Sequence, residues 1–364
     1  MRTHLNPGHT SDPRFSRRKI LRHGFVAAGA VGMGLLGLSM VGCQAAAPAN
    51  STAAPVSPTA AAPLKVTVSF DGTPNDMPLF MARDQGIFAK HGIDATLVQI
   101  AGPTSVSAVL SDQVQVGHSG GSEVIGAAVG KGDVKIVAVQ SPVFPFLLMV
   151  QPSIKTPADL KGKKVGISNP GGAADTSLRI VLPKLGLEPD QDVTFISLGS
   201  IANQVAALQS GAVDGTIIVS GPDTYKMQNM GFPSLFDVSK LDVPYVDAVI
   251  ELKGSYVDSH RDFVQNYIDA MIESTLLMRS NKDMAIQALN KIFDGNDADS
   301  YPSTYDYYSQ PNVTVVPPLP KVEDFKNTIG ILCKREADAC NFDANTMIDT
   351  SFVQSAISRG VTKG

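Results

Sequence analysis

The sequence has no tryptophan, and aromatic residues make up only 6% of its 364 positions. A site that clasps a flat ring between aromatic faces therefore has few side chains to draw on. A basic excess is also missing: 30 Lys and Arg stand against 34 Asp and Glu, for a formal net charge of -4. Nothing in that balance suggests the basic face or stripe with which proteins grip nucleic acid. Cysteine is scarce, with three in the whole chain. What is present is an ordinary globular composition, 43% hydrophobic and 18% charged. That suffices to bury one large core or two domain-sized ones.

The first 63 residues lie outside that globular part. Ser16-Arg17-Arg18-Lys19-Ile20-Leu21-Arg22 precedes a small-residue apolar run over 25–42, the charged and apolar regions of an export signal. The stretch resembles a twin-arginine signal with Ile20 where Phe is usual; a general secretory signal that happens to carry two arginines is the alternative. Met40-Val41-Gly42-Cys43 resembles a bacterial lipobox, with Met in place of the preferred Leu. Residues 1–43 are then a signal cleaved before Cys43, which becomes lipidated. An uncleaved membrane anchor competes with this, since the run is near the lower length limit for spanning. Either way the rest of the chain lies outside the cytoplasm. Residues 44–63, rich in Ala, Pro, Ser and Thr and free of charge, read as a disordered tether. The two remaining cysteines, Cys333 and Cys340, stand close together, and in an oxidising compartment such a pair is expected to bond. The short loop so closed is worth about 2 to 3 kcal/mol. Buried free thiols are the alternative, and a metal site would need further His or Cys ligands, of which none lie nearby.

From Leu64 onward strand and helix signals alternate. LKVTVSF is followed by the helical MPLFMARDQGIFAKHG, then IDATLVQI, then a helix around SVSAVLSD, with VQVGH, VKIVAVQ and FLLMVQP as further strands. TPADLKGKKV opens a second unit: KVGIS, the glycine turn NPGGAAD, a helix SLRIVLPKLGL, DVTFISL, a helix NQVAALQSG and DGTIIVS. Such alternation predicts α/β architecture with parallel sheets covered by helices. A weak echo joins the units, LSDQVQVG at 110–117 and LQSGAVDG at 208–215, each running from a helix end into a strand. Past Val249 the pattern changes to long amphipathic helices, DFVQNYIDAMIESTLLMRSN and then 282–293.

In open α/β sheets ligands sit beyond the carboxyl ends of strands, where helix N-termini present free N–H groups. Four loops qualify here. They nominate Asn75 and Asp76; Ser119, Gly120, Gly121 and Ser122; Asn169, Gly171, Gly172 and Thr176; and Ser220 and Asp223 as ligand-binding residues. Each has a competing role, because Ser, Asp and Asn before a helix are ordinary N-caps and Gly there can serve the turn alone. The second loop also contains Gly117-His118-Ser119-Gly120-Gly121, which fits G-x-S-x-G, the nucleophile elbow of α/β-hydrolases. Ser119, Asp214 or Asp247, and His260 would complete a triad in the required order, with His91-Gly92 as a meagre oxyanion motif. Against this, His260 stands at a helix start, and the chain divides into two short units rather than one long sheet. The chain is therefore not expected to be an enzyme. Asp294-Gly295-Asn296-Asp297-Ala298-Asp299 superficially resembles a calcium loop but lacks the required Gly and Glu, and no metal or cofactor is expected.

MPLFMARDQGIFAKHGID, TPADLKGKKVGIS and ALQSGAVDGTIIVSGPD, in that order and spacing, resemble the substrate-binding proteins of ABC importers, in the group for nitrate, sulfonates, taurine and thiamine precursors. The resemblance covers nearly all of 64–364. It implies a two-lobed periplasmic-binding-protein type II fold with a ligand cleft between lobes, lobe one being 64–149 with 242–364 and lobe two 150–241. It further implies a monomer that closes by hinge motion around a small molecule and delivers it to ABC permease subunits. A sulfonate- or nitrate-like anion is preferred, because Phe70, Phe144, Phe146, Tyr225 and Tyr245 are the only aromatics near the expected cleft. Asp76, Glu123, Asp175 and Asp223 weigh against an anion unless they cap helices, and Arg179 could offset them. A pyrimidine, a thiamine precursor or an aromatic acid is the alternative ligand, and a non-transport sensory lipoprotein the alternative role.

Overall fold

The computed structural model describes residues 62–241 and 243–363. The expected export signal with Cys43, the expected tether up to residue 61, Asp242 and Gly364 lie outside the described residues. Among the described residues ten strands form two five-stranded sheets. The first contains β1 (Leu64–Phe70), β2 (Ile93–Gln99), β3 (Val116–Gly120), β4 (Val134–Ser141) and β10 (Ala248–Lys253). The second contains β5 (Phe146–Val150), β6 (Lys163–Ile167), β7 (Val193–Ser197), β8 (Gly215–Val219) and β9 (Ser234–Asp237). Their orders are β2-β1-β3-β10-β4 and β7-β6-β8-β5-β9. Position by position the two sheets match: β1 is parallel to β2 and β3, β6 to β7 and β8, while β10 and β5 each run antiparallel to both neighbours. The echo between 110–117 and 208–215 thus marks equivalent turns, entering β3 and β8.

Helices cover both faces of each sheet, which is why strand residues such as Val68, Leu148, Val165 and Ile250 are buried. Those before the first crossover are α1 (Met77–Asp84), α2 (Ile87–Lys90), α3 (Pro103–Leu110) and α4 (Gly121–Val129). The second sheet carries α5 (Ala173–Lys184), α6 (Ile201–Gln209) and α7 (Pro222–Asn229). After β10 come α8 (Gly254–Ser259), α9 (Arg261–Ser280), α10 (Lys282–Ile292), α11 (Tyr301–Tyr308), α12 (Lys326–Cys333) and α13 (Ser351–Ser358). The buried face of α9, with Val264, Tyr267, Ile268 and Met271, packs into the same core as Leu79, Phe88 and Val68. Each fully buried side chain of this size contributes about 1.5–3 kcal/mol of transfer free energy. A separate core of Leu148, Leu160, Val165, Leu178 and Ile217 holds the second sheet.

Three sequence expectations change here. The stretch FLLMVQP, placed in lobe one, forms β5 of the second sheet, paired with β8 and β9. The chain therefore crosses between sheets within 142–145, earlier than the expected boundary at 149. The helix expected over MPLFMARDQGIFAKHG is two helices, broken at Gly86 with φ of 70°. Helices α4 and α7 begin two residues earlier than expected and α5 four, which draws parts of three nominated loops into helix. Cys333 and Cys340 are joined by a disulfide.

The two crossing segments brace one another. Phe144 and Tyr245 stack with ring centroids 3.6 Å apart, at 2% and 0% exposure. Asp247 N donates to Ser141 O at 2.9 Å.

Candidate functional site

A cavity of about 550 Å³ lies between the carboxyl ends of the two sets of parallel strands. Its first wall is Asp71 just past β1, Asn75 and Asp76, Ser119 and Gly120 at the end of β3, Glu123 on α4 and Gln140 at the end of β4. The opposite wall has Phe146, Asn169 past β6, Ser200 and Gln204 at α6, and Asp223 on α7. Asp247, Phe293, Asp294 and Asn296 complete it.

Of the twelve nominated residues, Asn75, Asp76, Ser119, Gly120, Asn169 and Asp223 line this cavity, and Gly121, Ser122, Gly171, Gly172, Thr176 and Ser220 do not. Gly121 opens α4 against the second crossover: its N–H donates to Asp247 O at 3.0 Å, and a Cβ there would sit 2.6 Å from Val246 Cγ1 and its carbonyl oxygen. The neighbouring Ser122 hydroxyl shares a 2.9 Å hydrogen bond with the Tyr245 hydroxyl. Both residues position the crossover rather than a ligand. Thr176 is buried inside α5. The Gly171 N–H donates to Asp175 Oδ2 at 2.7 Å, and Ser220 O accepts from the Tyr308 hydroxyl at 2.9 Å.

The same accounting applies to the free N–H groups that suggested an anion site. Asp76 Oδ2 accepts from Gly72 N at 2.9 Å and Thr73 N at 2.8 Å. Gly102 N donates to Asp71 Oδ1 at 3.2 Å. Gly221 N donates to Thr224 Oγ1 at 3.0 Å. At the start of α5 the Ala173 N–H donates to Glu123 Oε1 at 3.1 Å, reaching from one sheet's helices to the other's. Side chains of the protein itself satisfy these donors.

The G-x-S-x-G letters have a packing explanation. Glu251 on β10 pairs with Gly117 in the ladder, and a Cβ on Gly117 would fall 2.1 Å from Glu251 Oε1. That same oxygen accepts from the Ser119 hydroxyl at 2.8 Å. No triad assembles around Ser119. His260, at the junction of α8 and α9, stacks on Tyr256 with centroids 4.0 Å apart and bonds to Ser259. Asp214 accepts from Lys164 N. His118 is hydrogen-bonded to the Tyr267 hydroxyl at 2.7 Å, and burial pushes its imidazole down to about 3, so it is neutral.

The walls are acidic. Asp71, Asp76, Glu123, Asp223, Asp247 and Asp294 line the cavity, and no Lys or Arg does among the described residues. Burial raises Asp71 well above the usual carboxylate range, and the charges of Asp76, Glu123 and Glu251 add to it. Burial lifts Asp76 to about 7 despite its two N–H bonds. It lifts Asp247 to about 8, opposed by the Asn75 amide and reinforced by Glu123. Beneath the wall, Glu251 is pushed up to about 8 by burial, against the Ser119 hydrogen bond. Arg179 does not offset these groups, because it is held by Asp175 at 2.8 Å and Asp190 at 2.5 Å. The preference for a sulfonate- or nitrate-like anion finds no support in such a wall, since no Lys or Arg is there to pair with an anion and each carboxyl repels one once it ionises.

Sequence reasoning missed Asp71, Gln99, Gln140, Phe293, Asp294 and Asn296. Asp71 and Gln140 stand at strand ends, so the strand-end rule could have found them. Residues 292–296 come from a segment remote in sequence, and only the fold brings them in. Of the nominated aromatics Phe146 alone lines the cavity. Phe70 packs on Phe80, Phe144 and Tyr245 stack on each other, and Tyr225 is 37% exposed.

Comparison with known proteins adds independent findings. A family profile described as NMT1/THI5 like matches residues 73–285. A Brucella abortus (strain 2308) protein whose name describes it as a binding protein is 36% identical over 135 residues, which is 37% of this chain and 41% of that protein. The chain thus spans less than half the length of that relative. The nitrate/nitrite binding protein NrtA of Nostoc sp. is 25% identical over 298 residues, covering 71% of this chain and 66% of NrtA. Among solved structures, the alkanesulfonate-binding protein SsuA from Xanthomonas axonopodis pv. citri superposes with a TM-score of 0.66 at 20% identity, over 80% of this chain and all of that one. At such identity the likeness concerns the fold, which is the two-sheet α/β fold of periplasmic binding proteins.

Proposed function

The chain belongs to the NMT1/THI5-like family, and from that premise we propose that it is an extracytoplasmic solute-binding protein that delivers a small molecule to an ABC importer. The observation that carries the reading is the cavity itself. It lies between two sheets of like strand order and is lined from both, at the strand ends where α/β proteins hold ligands. Each sheet with its helices acts as a lobe, and the crossovers at 142–145 and 238–247 act as the hinge. Ligand draws the lobes together, and the contacts already spanning them, Glu123 to Ala173 N and Tyr308 to Ser220 O, mark the surfaces that meet. Permease subunits read the closed form. A lipid on Cys43 holds the monomer at the outer face of the membrane, with the tether giving it reach. No chemistry is required of the protein, consistent with a Ser119 whose proton goes to a carboxyl rather than to a histidine.

A wide thermal-shift screen of anions, amines and heterocycles, followed by spin-label distances between Lys164 and Lys253, tests this. A true ligand raises the melting temperature, by about 2.7 kcal/mol of added stability at a hundredfold excess over Kd, and narrows the interlobe distance. A screen without a hit, together with an interlobe distance that no compound alters, refutes the transport reading. Cys43→Ser should release the protein from membranes; continued anchoring would point to a retained helix.

A further inference from the structure

Resting on the solute-binding reading, we propose that the cavity takes a compact organic cation bearing N–H donors, of the amine, amidinium or guanidinium class, with Asp71, Glu123 and Asp247 as its principal acceptors. Three observations converge on this class. The first is charge: six carboxyls and no Lys or Arg line the walls among the described residues, and His118, which also lines them, is kept neutral by burial. A cation would be attracted to every ionised member of that set, an anion to none.

The second observation is where the hydrogen bonds go. Asp71, Glu123 and Asp247 each spend one oxygen within the protein, on Gly102 N, Ala173 N and the Asn75 amide. Glu123 Oε2 is buried without a partner. The Gln140 amide, at 5% exposure and on the cavity wall, also has a nitrogen with no partner. Buried polar groups are normally paired, so an occupant offering N–H donors completes the partnering of Glu123, whereas the Gln140 nitrogen, itself a donor, calls for an acceptor atom elsewhere on the same molecule. By contrast, two of the backbone N–H groups at the strand ends are already taken by the wall's own carboxyls, Ala173 N by Glu123 and Gly102 N by Asp71.

The third observation separates organic cations from metal ions and from quaternary ammonium. No three His, Cys, Asp or Glu side chains among the described residues are grouped closely enough to hold a metal. Among the described residues Phe146 and Phe293 are the only Phe, Tyr or Trp side chains on the wall, too few for the cage that methylated ammonium prefers. At about 550 Å³ the cavity accommodates a molecule of metabolite size.

The test is calorimetry and thermal melting of the purified mature protein at about pH 6 and about pH 8. Agmatine, putrescine and benzamidine are compared with taurine, methanesulfonate and nitrate, and with calcium and zinc ions. Binding of an organic cation should tighten as pH rises, by about tenfold per unit for each proton released, because raised carboxyls must ionise to hold it. Glu123→Gln and, separately, Asp71→Asn should each weaken that binding at least about tenfold. Anion binding that weakens as pH rises overturns the cation class and leaves solute binding intact. A response to metal ions alone overturns it as well. Silence from every probe overturns the cation class, and the solute-binding reading then stands or falls on the wider screen and the interlobe distance. The pH dependence of the unaltered protein decides the matter even if a variant fails to fold.

Discussion

The two walls of the cavity come from sheets built in the same strand order, yet they carry different chemistry. The wall of the first sheet holds Asp71, Asp76 and Glu123, joined by Asp247 from the crossover, whereas the second offers Ser168, Asn169, Ser200 and Gln204, with Asp223 as its one charged group. Equivalent turns also differ. After β3 the turn is Ser119-Gly120-Gly121, and Gly121 is pressed against Val246; after β8 it is Ser220-Gly221-Pro222, and Gly221 faces Pro74 across the cleft. A repeated scaffold supplies matching positions, and the residue placed at each decides whether that position packs on the crossover, meets the opposite side of the cavity or lines it.

The largest effect should come from filling the hinge-side turn. Gly121→Leu places side-chain atoms where Val246 already stands. Overpacking against backbone should cost about 1–3 kcal/mol or more and lower the urea midpoint sharply. An unchanged midpoint would mean that the crossover is free to move away. Asp175→Ala probes the contact between lobes, since Asp175 lies under both Arg179 at 2.8 Å and Arg335 at 3.0 Å, the latter in the loop closed by the disulfide. Removing the shared buried acceptor should cost about 1–3 kcal/mol and widen the distance between α5 and α12. A loss of stability with no widening would make Asp175 a helix cap alone.

The acidic wall makes a prediction about pH that the polar wall does not. Asp76, Asp247 and Glu251 have folded-state values raised to about 7, 8 and 8. A raised carboxyl favours the folded state fully below its unfolded value and loses that contribution as pH climbs through the folded one. The ligand-free protein should therefore melt at progressively lower temperature from about pH 5 to about pH 8, by up to about 1.4 kcal/mol per pH unit for each proton. Glu251→Gln should flatten part of that slope, and a melting temperature that rises over the interval would refute the assignment. Smallest of all, Ser119→Ala should cost about 1 kcal/mol by removing one hydrogen bond to Glu251. It should leave no esterase activity to lose, and ester hydrolysis abolished by this change would restore the hydrolase reading.

Much of the fold was legible because its signals are local. Alternating apolar runs and glycine turns announced the strands and helices, and the echo at 110–117 and 208–215 announced two like units. Helix starts were less legible, because a first turn has no apolar stripe of its own and is set by what its N–H groups meet. For that reason Gly121, Ser122 and Thr176 read as loop residues and turned out to be helix. The site was half legible: Asn75, Asp76, Ser119, Gly120, Asn169 and Asp223 follow from the strand-end rule, whereas Asp294 and Asn296 arrive through the return of the chain to the first sheet.

The sequence by itself determined the architecture and the candidate loops, since periodicity and turn residues act over a few positions. Whether a glycine touches ligand or a crossing strand, and whether a helix N–H remains free, depends on neighbours brought in by the fold, Asp247 for Gly121 N and Glu123 for Ala173 N. The meaning of G-x-S-x-G is therefore decided by Val246 and Glu251, and the charge of the cavity by five segments brought together from 71 to 294. Only tertiary contact could place Glu123 on the start of α5, and that contact is what turns a nominated anion site into an acidic one.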